Sequence, residues 1–434
     1  MVVLAVGCGK SAEKRSTVIE KPSTVTESAP PPVNKTWQAT EAWRLELPAP
    51  SPSFNRVAPL ADGSALVASY FEGSVSVGEA TFTSRGNEDV VVHRISADGK
   101  LGRGTQLGGA TFDAPAALVA HGDGAYLAIQ SSGAITIAGK TFAPDGKQSV
   151  VALVTLDHDG SPTAACLIDI DAADYTVQMT VLADHDVVIS ADETREILKP
   201  SSVLVRAGAD CTQRWRMPLG GIRVSALAAA GDDVIASASG DDWLGLWRVD
   251  AATGKIGLKH QLTKPTVGGM LAGDLGGLAQ AQRLGDRDIA LGTTGGSATL
   301  DGQTFTGKHL HPFLLAGGPQ GASYGPVADV VAHVAGSGRI GETAFFGMEV
   351  IHAGEPEDVH RGTYLIAFGT KPQLLPLYQY KYEDDDWEHA PKQVVRGQPI
   401  RGNVAFSDDA AWIAGACDDA AKVRCISKIA LSAK

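Results

Sequence analysis

The chain alternates short apolar runs with turns rich in glycine and aspartate. Residues 90–107 show the pattern: a β-branched run, a tight Ala-Asp-Gly-Lys turn at 97–100 and a strand that returns. Apolar runs of this length, bounded by Asp-Gly turns, are typical of β-hairpins. The pattern recurs in five further stretches, at residues 150–168, 202–219, 243–262, 312–327 and 364–380. The sequence therefore predicts six complete hairpins.

The two ends of the chain each supply half of a further hairpin. Residues 424–431 have the character of its first strand, and residues 42–47 have the form of the strand that returns. Repeats of this kind bury their faces only against neighbouring repeats, so an open ring would leave two apolar faces in water. We therefore predict an all-β, seven-bladed β-propeller over residues 41–434, about 56 residues per blade, in which the N-terminal strand completes the last blade.

A second repeat places a glycine nine positions before a phenylalanine in three segments. These are GSVSVGEATF (73–82), GAITIAGKTF (133–142) and GSATLDGQTF (296–305). Together with the Ala-Asp-Gly-Lys turn and a Leu-Gly-Gly ending, the segments resemble the SBBP-type seven-bladed propeller repeat of bacterial, often myxobacterial, secreted proteins and lipoproteins. The resemblance implies a cell-envelope or extracellular scaffold. It brings no shared catalytic residues with it.

Composition narrows the class of protein further. Fifty glycines and only 6% aromatic residues suit an all-β chain with frequent turns. The formal net charge of -12 argues against a nucleic-acid surface, because phosphate binding needs clustered Lys and Arg. We expect a monomer with no nucleic-acid partner.

The first forty residues differ from the remainder of the chain. Ala5-Val6-Gly7-Cys8 resembles a lipobox, the end of a lipoprotein signal peptide, although the family usually has Leu where Ala5 stands. We predict that residues 1–8 are the end of such a signal peptide and that Cys8 is the lipidation site. An ordinary disordered N-terminus is the alternative. Residues 9–40 are rich in Ser, Thr and Pro and predict a disordered linker. The expected location is the cell envelope, with the protein held to the membrane through a lipid anchor.

The remaining cysteines are even in number. Cys417 and Cys425 flank a turn, and Cys166 and Cys211 fall in adjacent repeats where they could cross-link two blades. Two disulfides would need an oxidising compartment such as the periplasm or the exterior. The alternative is four buried free thiols.

Candidate metal ligands are few. His309 and His311 lie two apart on a predicted strand, which puts both imidazoles on one face, but no nearby Cys, Asp or Glu completes a ligand set. Asp384 and Asp386 belong to an acidic run that could supply oxygen to Ca²⁺, yet the spacing matches no known calcium loop. An exposed polar face and a solvated charge run are the commoner explanations. We predict no cofactor, with calcium as the open alternative.

Two function classes remain. The first is a non-enzymatic scaffold or binding propeller that presents its channel mouth to a protein or glycan partner. The second is a propeller enzyme, a lyase or hydrolase, with a metal or an acid and His site at that mouth. Equivalent positions of the repeats hold mainly Gly, Thr, Ser and Val. This composition favours the first class, and the sequence identifies no catalytic residue.

Overall fold

The computed structural model describes most of the chain after residue 35, and these residues belong to one unit, Asn34–Lys434. The described residues are 36–47, 53–173, 177–193, 201–263, 276–294, 297–300, 303–306, 311–318, 321–327, 330–353, 362–369, 371–381, 393–394, 401–416 and 423–434. All regular structure within these ranges is β-strand.

The strands follow one another in chain order as β1 (Trp37–Leu47), β2 (Ser53–Pro59), β3 (Ala65–Phe71), β4 (Ser74–Val77), β5 (Ala80–Thr83), β6 (Asp89–Ile95), β7 (Leu101–Gly109), β8 (Asp113–His121), β9 (Gly124–Ser131), β10 (Ile135–Ile137), β11 (Lys140–Phe142), β12 (Val150–Leu156), β13 (Pro162–Ile168), β14 (Gln178–Val181), β15 (Val187–Asp192), β16 (Ser202–Ala207), β17 (Gln213–Pro218) and β18 (Arg223–Ala230). The second half of the chain adds β19 (Asp233–Ser239), β20 (Trp243–Asp250), β21 (Ile256–Thr263), β22 (Gly276–Leu284), β23 (Arg287–Thr294), β24 (Ser297–Leu300), β25 (Gln303–Thr306), β26 (His311–Gly318), β27 (Gly321–Pro326), β28 (Val330–Ile340), β29 (Thr343–Ala353), β30 (Gly362–Phe368), β31 (Pro372–Lys381), β32 (Gln393–Val394), β33 (Arg401–Phe406), β34 (Ala410–Ala416) and β35 (Arg424–Ala433).

Seven antiparallel sheets form the blades of a β-propeller. From the inner to the outer strand, blades 1 to 4 are β2-β3-β6-β7, β8-β9-β12-β13, β14-β15-β16-β17 and β18-β19-β20-β21. Blades 5 and 6 are β22-β23-β26-β27 and β28-β29-β30-β31, with β32 added at the edge of blade 6. The six predicted hairpins are the third and fourth strands of these six blades, so that prediction is confirmed.

Blade 7 joins the two ends of the chain. Its order from the inside is β33-β34-β35-β1, and β1 pairs with β35 from Trp37 opposite Ala433 to Leu47 opposite Arg424. The predicted closure by the N-terminal strand is therefore confirmed. The strand β1 begins at Trp37, four positions ahead of the predicted start of the propeller at residue 41.

The Gly-to-Phe segments are extra hairpins inserted between the second and third strands of a blade, rather than blade strands. They form β4-β5 in blade 1, β10-β11 in blade 2 and β24-β25 in blade 5. The second pairs with the outer strand β7 of the preceding blade 1, and the third pairs with the outer strand β21 of blade 4. Each of these two hairpins therefore widens the neighbouring sheet.

The hydrophobic core lies between adjacent blades. Middle strands read as continuous apolar runs because both of their faces are covered, as in β6, where Val90, Val91 and Val92 are all fully buried. One cluster joins blades 1 and 2 through Leu66, Val92 and Leu127, and comparable clusters join the other blades. Outer strands such as β17 alternate between half-buried and exposed positions instead.

A residue on the outer strand of one blade clasps the turn between the third and fourth strands of the next blade. In the junction from blade 7 to blade 1, the Trp43 Nε1–H donates to the Ala97 carbonyl at 2.9 Å, and the indole ring lies on Gly99. A Cβ on Gly99 would stand 2.7 Å from this ring. Blade 3 holds blade 4 in the same way: the Trp215 Nε1–H donates to the Ala251 carbonyl at 2.7 Å.

A disulfide occupies the corresponding place between blades 2 and 3. Cys166, on the outer strand β13, is bonded to Cys211 in the turn between β16 and β17, and its Sγ lies 3.4 Å from the Ala209 oxygen. The predicted cross-link between adjacent blades is therefore confirmed. Cys211 has a φ of 60°, in the left-handed region that Gly99 occupies in blade 1 with a φ of 84°. Cys211 thus occupies the turn position that Gly99 occupies in blade 1.

Candidate functional site

A central channel of about 1080 Å³ runs between the inner strands of all seven blades. Its wall includes residues from β2, β8, β14, β18, β22, β28 and β33. A concave space to which every blade contributes is where a propeller gathers groups from distant parts of its chain. We therefore take this channel as the candidate functional site.

The inner strands are irregular along the channel. In blades 1, 2, 4, 5 and 6 the register between the inner strand and the second strand shifts, so that residues such as Ala116 are skipped in the pairing of the two strands. A β-bulge frees the backbone groups of the extra residue from strand pairing. The Ala116 carbonyl is used in this way, because it accepts a hydrogen bond from a side chain in the channel.

Small apolar side chains and neutral polar groups share most of the wall. Ala120 and Ala229 are exposed residues of the channel wall, on β8 of blade 2 and β18 of blade 4. Amide side chains come from β14, β22 and β33, and hydroxyl groups come from β14, β18 and β28. Amides and hydroxyls both donate and accept hydrogen bonds, so the wall suits a ligand with many hydroxyl groups.

Two blades are connected by a polar chain on this wall. The Gln282 Nε2–H donates to the Ser337 Oγ at 3.0 Å, and the Ser337 hydroxyl lies 3.1 Å from the Gln280 Oε1. The contacts bridge β22 of blade 5 and β28 of blade 6. They hold the two glutamine side chains in fixed orientations, which lowers the entropy that a ligand would lose on binding them.

Arg56 and Glu349 are the charged side chains among the residues that line the channel. The Arg56 Nε–H donates to the Ala116 carbonyl at 3.0 Å, and its Nη1–H donates to the Asn403 Oδ1 at 2.8 Å. This guanidinium therefore bridges blades 1, 2 and 7. Burial lowers the pKa of Arg56 below its ordinary value, because the charged form loses hydration in the channel.

Asp113, at the start of β8, is a buried carboxyl with a raised pKa. Asp113 is fully buried, and its Oδ2 accepts the Gly109 N–H at 2.6 Å. Burial above all raises the pKa of Asp113 to about 6, and the neighbouring Asp89 contributes to the increase. Because the side chain does not line the channel, it fastens the link between blades 1 and 2 and lies out of reach of a ligand there.

The structure describes only some of the other residues that the sequence analysis proposed. Cys425 is buried and disulfide-bonded, whereas Cys417 lies outside the described residues, so their pairing stays a prediction. His311 begins β26. The remaining candidates Cys8, His309, Asp384 and Asp386 lie outside the described residues.

Neither metal clusters nor membrane spans occur in the described part of the chain. No group of three or more His, Cys, Asp or Glu side chains there could hold a metal ion. Within the same ranges, no helix has the length and hydropathy needed to cross a bilayer. The predictions for His309, His311, Asp384 and Asp386 remain untested by these findings.

Arg56 was missed because nothing in the segment Phe54-Asn55-Arg56-Val57 marks it in the sequence. Only the strand order shows that β2 is the innermost strand of blade 1. The one feature that could have pointed to Arg56 is its place directly before the apolar pair Val57 and Ala58, which are buried, in the strand β2.

Comparison with known proteins finds similarity to solved structures alone. No protein-family model matches the chain, and no curated protein matches it. Among solved structures it is similar to the WD40 domain of Neurospora crassa Pan2, with 10% identity, coverage of 90% of this chain and 95% of that chain, and a TM-score of 0.48. It is also similar to the Dos1 propeller (10% identity, 91% and 95% coverage, TM-score 0.47). A third similar structure is the polysaccharide lyase Uly1 (8% identity, 88% and 90% coverage, TM-score 0.44).

Proposed function

We propose that this chain is a non-enzymatic bacterial cell-envelope lipoprotein, anchored through Cys8, whose propeller binds a glycan or protein partner at the central channel. The channel wall is the observation that carries the binding role. It combines alanines with amide and hydroxyl groups from several blades, a lining that can hold a polar ligand by many neutral hydrogen bonds. The SBBP-like repeats and the lipobox-like segment support the envelope location.

The disulfide between blades 2 and 3 is consistent with this location. Such bonds persist in oxidising compartments, including the periplasm and the cell surface. Mass spectrometry of the N-terminal peptide, from protein purified out of its own host, tests the anchor. We expect a diacylglycerol-modified Cys8; an unmodified Cys8 there would refute lipidation.

Binding at the channel can be tested with one large substitution and a matched control. Ala229 is exposed to the channel, so Ala229→Trp would place an indole in it. Ala164 is exposed on the outer strand β13, and Ala164→Trp adds the same side chain far from the channel. On a glycan array and in pull-downs from envelope extracts, we expect Ala229→Trp to lose partners that Ala164→Trp keeps. Equal retention by both variants would exclude the channel as the binding site.

The alternative is a propeller lyase or hydrolase. Tyr70 and Glu349 both line the channel, and burial raises the pKa of the Tyr70 hydroxyl. Each retained glycan should therefore be incubated with the protein and analysed by mass spectrometry. We expect the glycan to be recovered intact; shortened or unsaturated products that disappear in Ala229→Trp would favour the enzyme.

A further inference from the structure

Arg56 carries a positive charge into the channel, and the described residues supply no counterion for it. Its guanidinium is partly buried and contacts two neutral acceptors, the Ala116 carbonyl and the Asn403 side-chain oxygen. No carboxylate in the described part of the chain forms an ion pair with it, and the Nη2 group donates no hydrogen bond to the described residues. The remaining N–H groups are therefore free to bind something in the channel.

A charge in this position is costly for the protein alone. Moving a guanidinium out of bulk water is unfavourable unless another group neutralises it and fills its hydrogen-bonding capacity. The neighbouring bulge at Ala116 and the amide of Asn403 hold the guanidinium in place from two adjacent blades. Arg56 is thus fixed in orientation before a ligand arrives, which lowers the entropic cost of binding.

The chemistry of the wall indicates what would bind. A guanidinium presents a planar fork that matches a carboxylate. Elsewhere on the same channel wall are neutral side chains that can pair with hydroxyl groups, among them Gln178, Thr180 and Gln282. A molecule that combines one carboxylate with several hydroxyls per unit would use both features.

We propose that the channel binds an acidic saccharide, with a uronate carboxylate on Arg56 and sugar hydroxyls on the surrounding amides and hydroxyls. The inference rests on the proposed binding function and specifies its ligand class. A peptide carboxylate could also pair with Arg56. The wall favours the saccharide, because peptide binding relies on apolar pockets for alternate side chains, whereas small alanines and polar groups dominate here.

The experiment measures affinity by isothermal titration calorimetry with trigalacturonate and with its methyl ester as the uncharged match. We expect the wild-type protein to bind trigalacturonate about 10–100-fold more tightly than the ester, the range for a charge-assisted hydrogen-bonded pair. Arg56→Gln should remove this preference and leave the affinity for the ester unchanged. Arg56→Lys keeps the charge but not the fork and should retain only part of the preference.

A second variant removes the site without removing the arginine. Asn403→Asp places a carboxylate on the Arg56 guanidinium, which then has an internal partner and no charge left for the ligand. We expect this variant to unfold at least as late as the wild-type protein on heating and to lose the preference for trigalacturonate. Arg94→Gln is the control, because Arg94 pairs with Asp62 outside the channel.

The outcomes separate the two proposals. If both saccharides bind equally and Arg56→Gln changes neither affinity, the acidic specificity is wrong while glycan binding stands. If neither saccharide binds but N-acetyl-Gly-Ala-Ala with a free carboxylate does, and its amidated form does not, the saccharide assignment is overturned in favour of a peptide. If Asn403→Asp keeps the wild-type preference, Arg56 is not the group that holds the carboxylate.

Discussion

The junction from blade 7 to blade 1 and the junction from blade 2 to blade 3 share one geometry but are held together by different chemistry. In each, a residue on an outer strand reaches the turn between the third and fourth strands of the next blade. Trp43 lies on Gly99 and donates to the Ala97 carbonyl, whereas Cys166 is covalently bonded to Cys211. The first clasp connects blade 7, which contains both ends of the chain, to blade 1, and the second connects two blades formed by consecutive stretches of the chain.

The two clasps require different residues in the turn that they contact. The indole needs a glycine, because a Cβ on Gly99 would stand 2.7 Å from the ring. The disulfide needs a side chain at the same kind of position, so Cys211 takes a φ of 60° that L-residues adopt at a cost. The non-covalent clasp therefore leaves the backbone of its turn unstrained. The covalent clasp strains the backbone at Cys211 but forms a bond that does not open by thermal motion.

Removing β1 should have the largest effect on the blade 7 to blade 1 junction. A variant that begins at residue 48 lacks the whole outer strand of blade 7, including Trp43, and exposes the apolar edge of β35. We expect no cooperative thermal transition by circular dichroism and rapid digestion by trypsin. A variant that begins at residue 36 is the control and should unfold like the full chain. A cooperative transition without β1 would mean that the ring does not need this closure.

Loss of the disulfide should weaken the blade 2 to blade 3 junction less severely. Cys166→Ser opens a link that spans 45 positions, a change that typically costs about 2–4 kcal/mol of unfolding free energy. Cys211→Gly opens the same link but also relieves the positive φ, so we expect it to be about 1 kcal/mol more stable than Cys166→Ser. Guanidinium unfolding measures both. Equal stability of the two variants would show that Cys211 is not strained.

Acid should destabilise blade 1 of this junction through His93. This side chain is 3% exposed, its ring nitrogens have no hydrogen-bond partner among the described residues, and its ring packs edge-on against Phe82 of β5. Burial lowers the pKa of His93 to about 4, so the folded state favours the neutral ring. The stability that this provides is complete above the unfolded pKa of about 6.5 and is lost as the pH falls towards 4, by up to about 3 kcal/mol.

Denaturant midpoints measured from pH 7 to pH 4 test this sign. His93→Leu should decline less than the wild-type protein over that range. The matched substitution Val91→Ala, at a fully buried residue of the same strand that carries no ionisable group, should lower the midpoint equally at every pH. A steeper decline in His93→Leu would contradict the assignment.

Adding a methyl group at Gly99, in the turn under Trp43, should have the smallest effect on stability. Gly99→Ala combines a positive φ with a clash against Trp43, whereas Gly122→Ala has a positive φ of 59° and no atom within 4 Å of the added Cβ. We expect a cost of about 1 kcal/mol for Gly122→Ala and about 1–2 kcal/mol more for Gly99→Ala. Thermal unfolding gives both values. In Trp43→Ala protein the extra cost at residue 99 should disappear, which isolates the contact from the backbone strain.

The arrangement of the strands could be predicted because it depends on local pattern. Buried third strands such as β12 are apolar at all but one position, and the turn at Asp159-Gly160 needs a residue that tolerates positive φ. Both features can be recognised in the sequence. The pairing of β1 with β35 followed from the requirement that a ring of blades has no open face. Cys166 and Cys211 could be matched because they fell in adjacent repeats.

The channel chemistry could not be predicted in the same way. Arg56 meets Ala116 and Asn403, which lie 60 and 347 positions away, and no local pattern encodes contacts of that range. The regular spacing of the Gly-to-Phe segments identifies them as a repeat but gives no pairing partner. Spacing cannot show that β10 leaves its own sheet and pairs with β7 of the blade before it.

The bulges in the inner strands give the channel wall a freedom that the blades lack. A residue such as Ser225 stands outside the ladder between β18 and β19, so replacing it would leave the pairing of its neighbours intact. Under the proposed binding function, ligand preference can thus diverge through single replacements at the bulges, at little risk to folding. We expect homologues with the same architecture to differ most at these positions and to bind correspondingly different molecules.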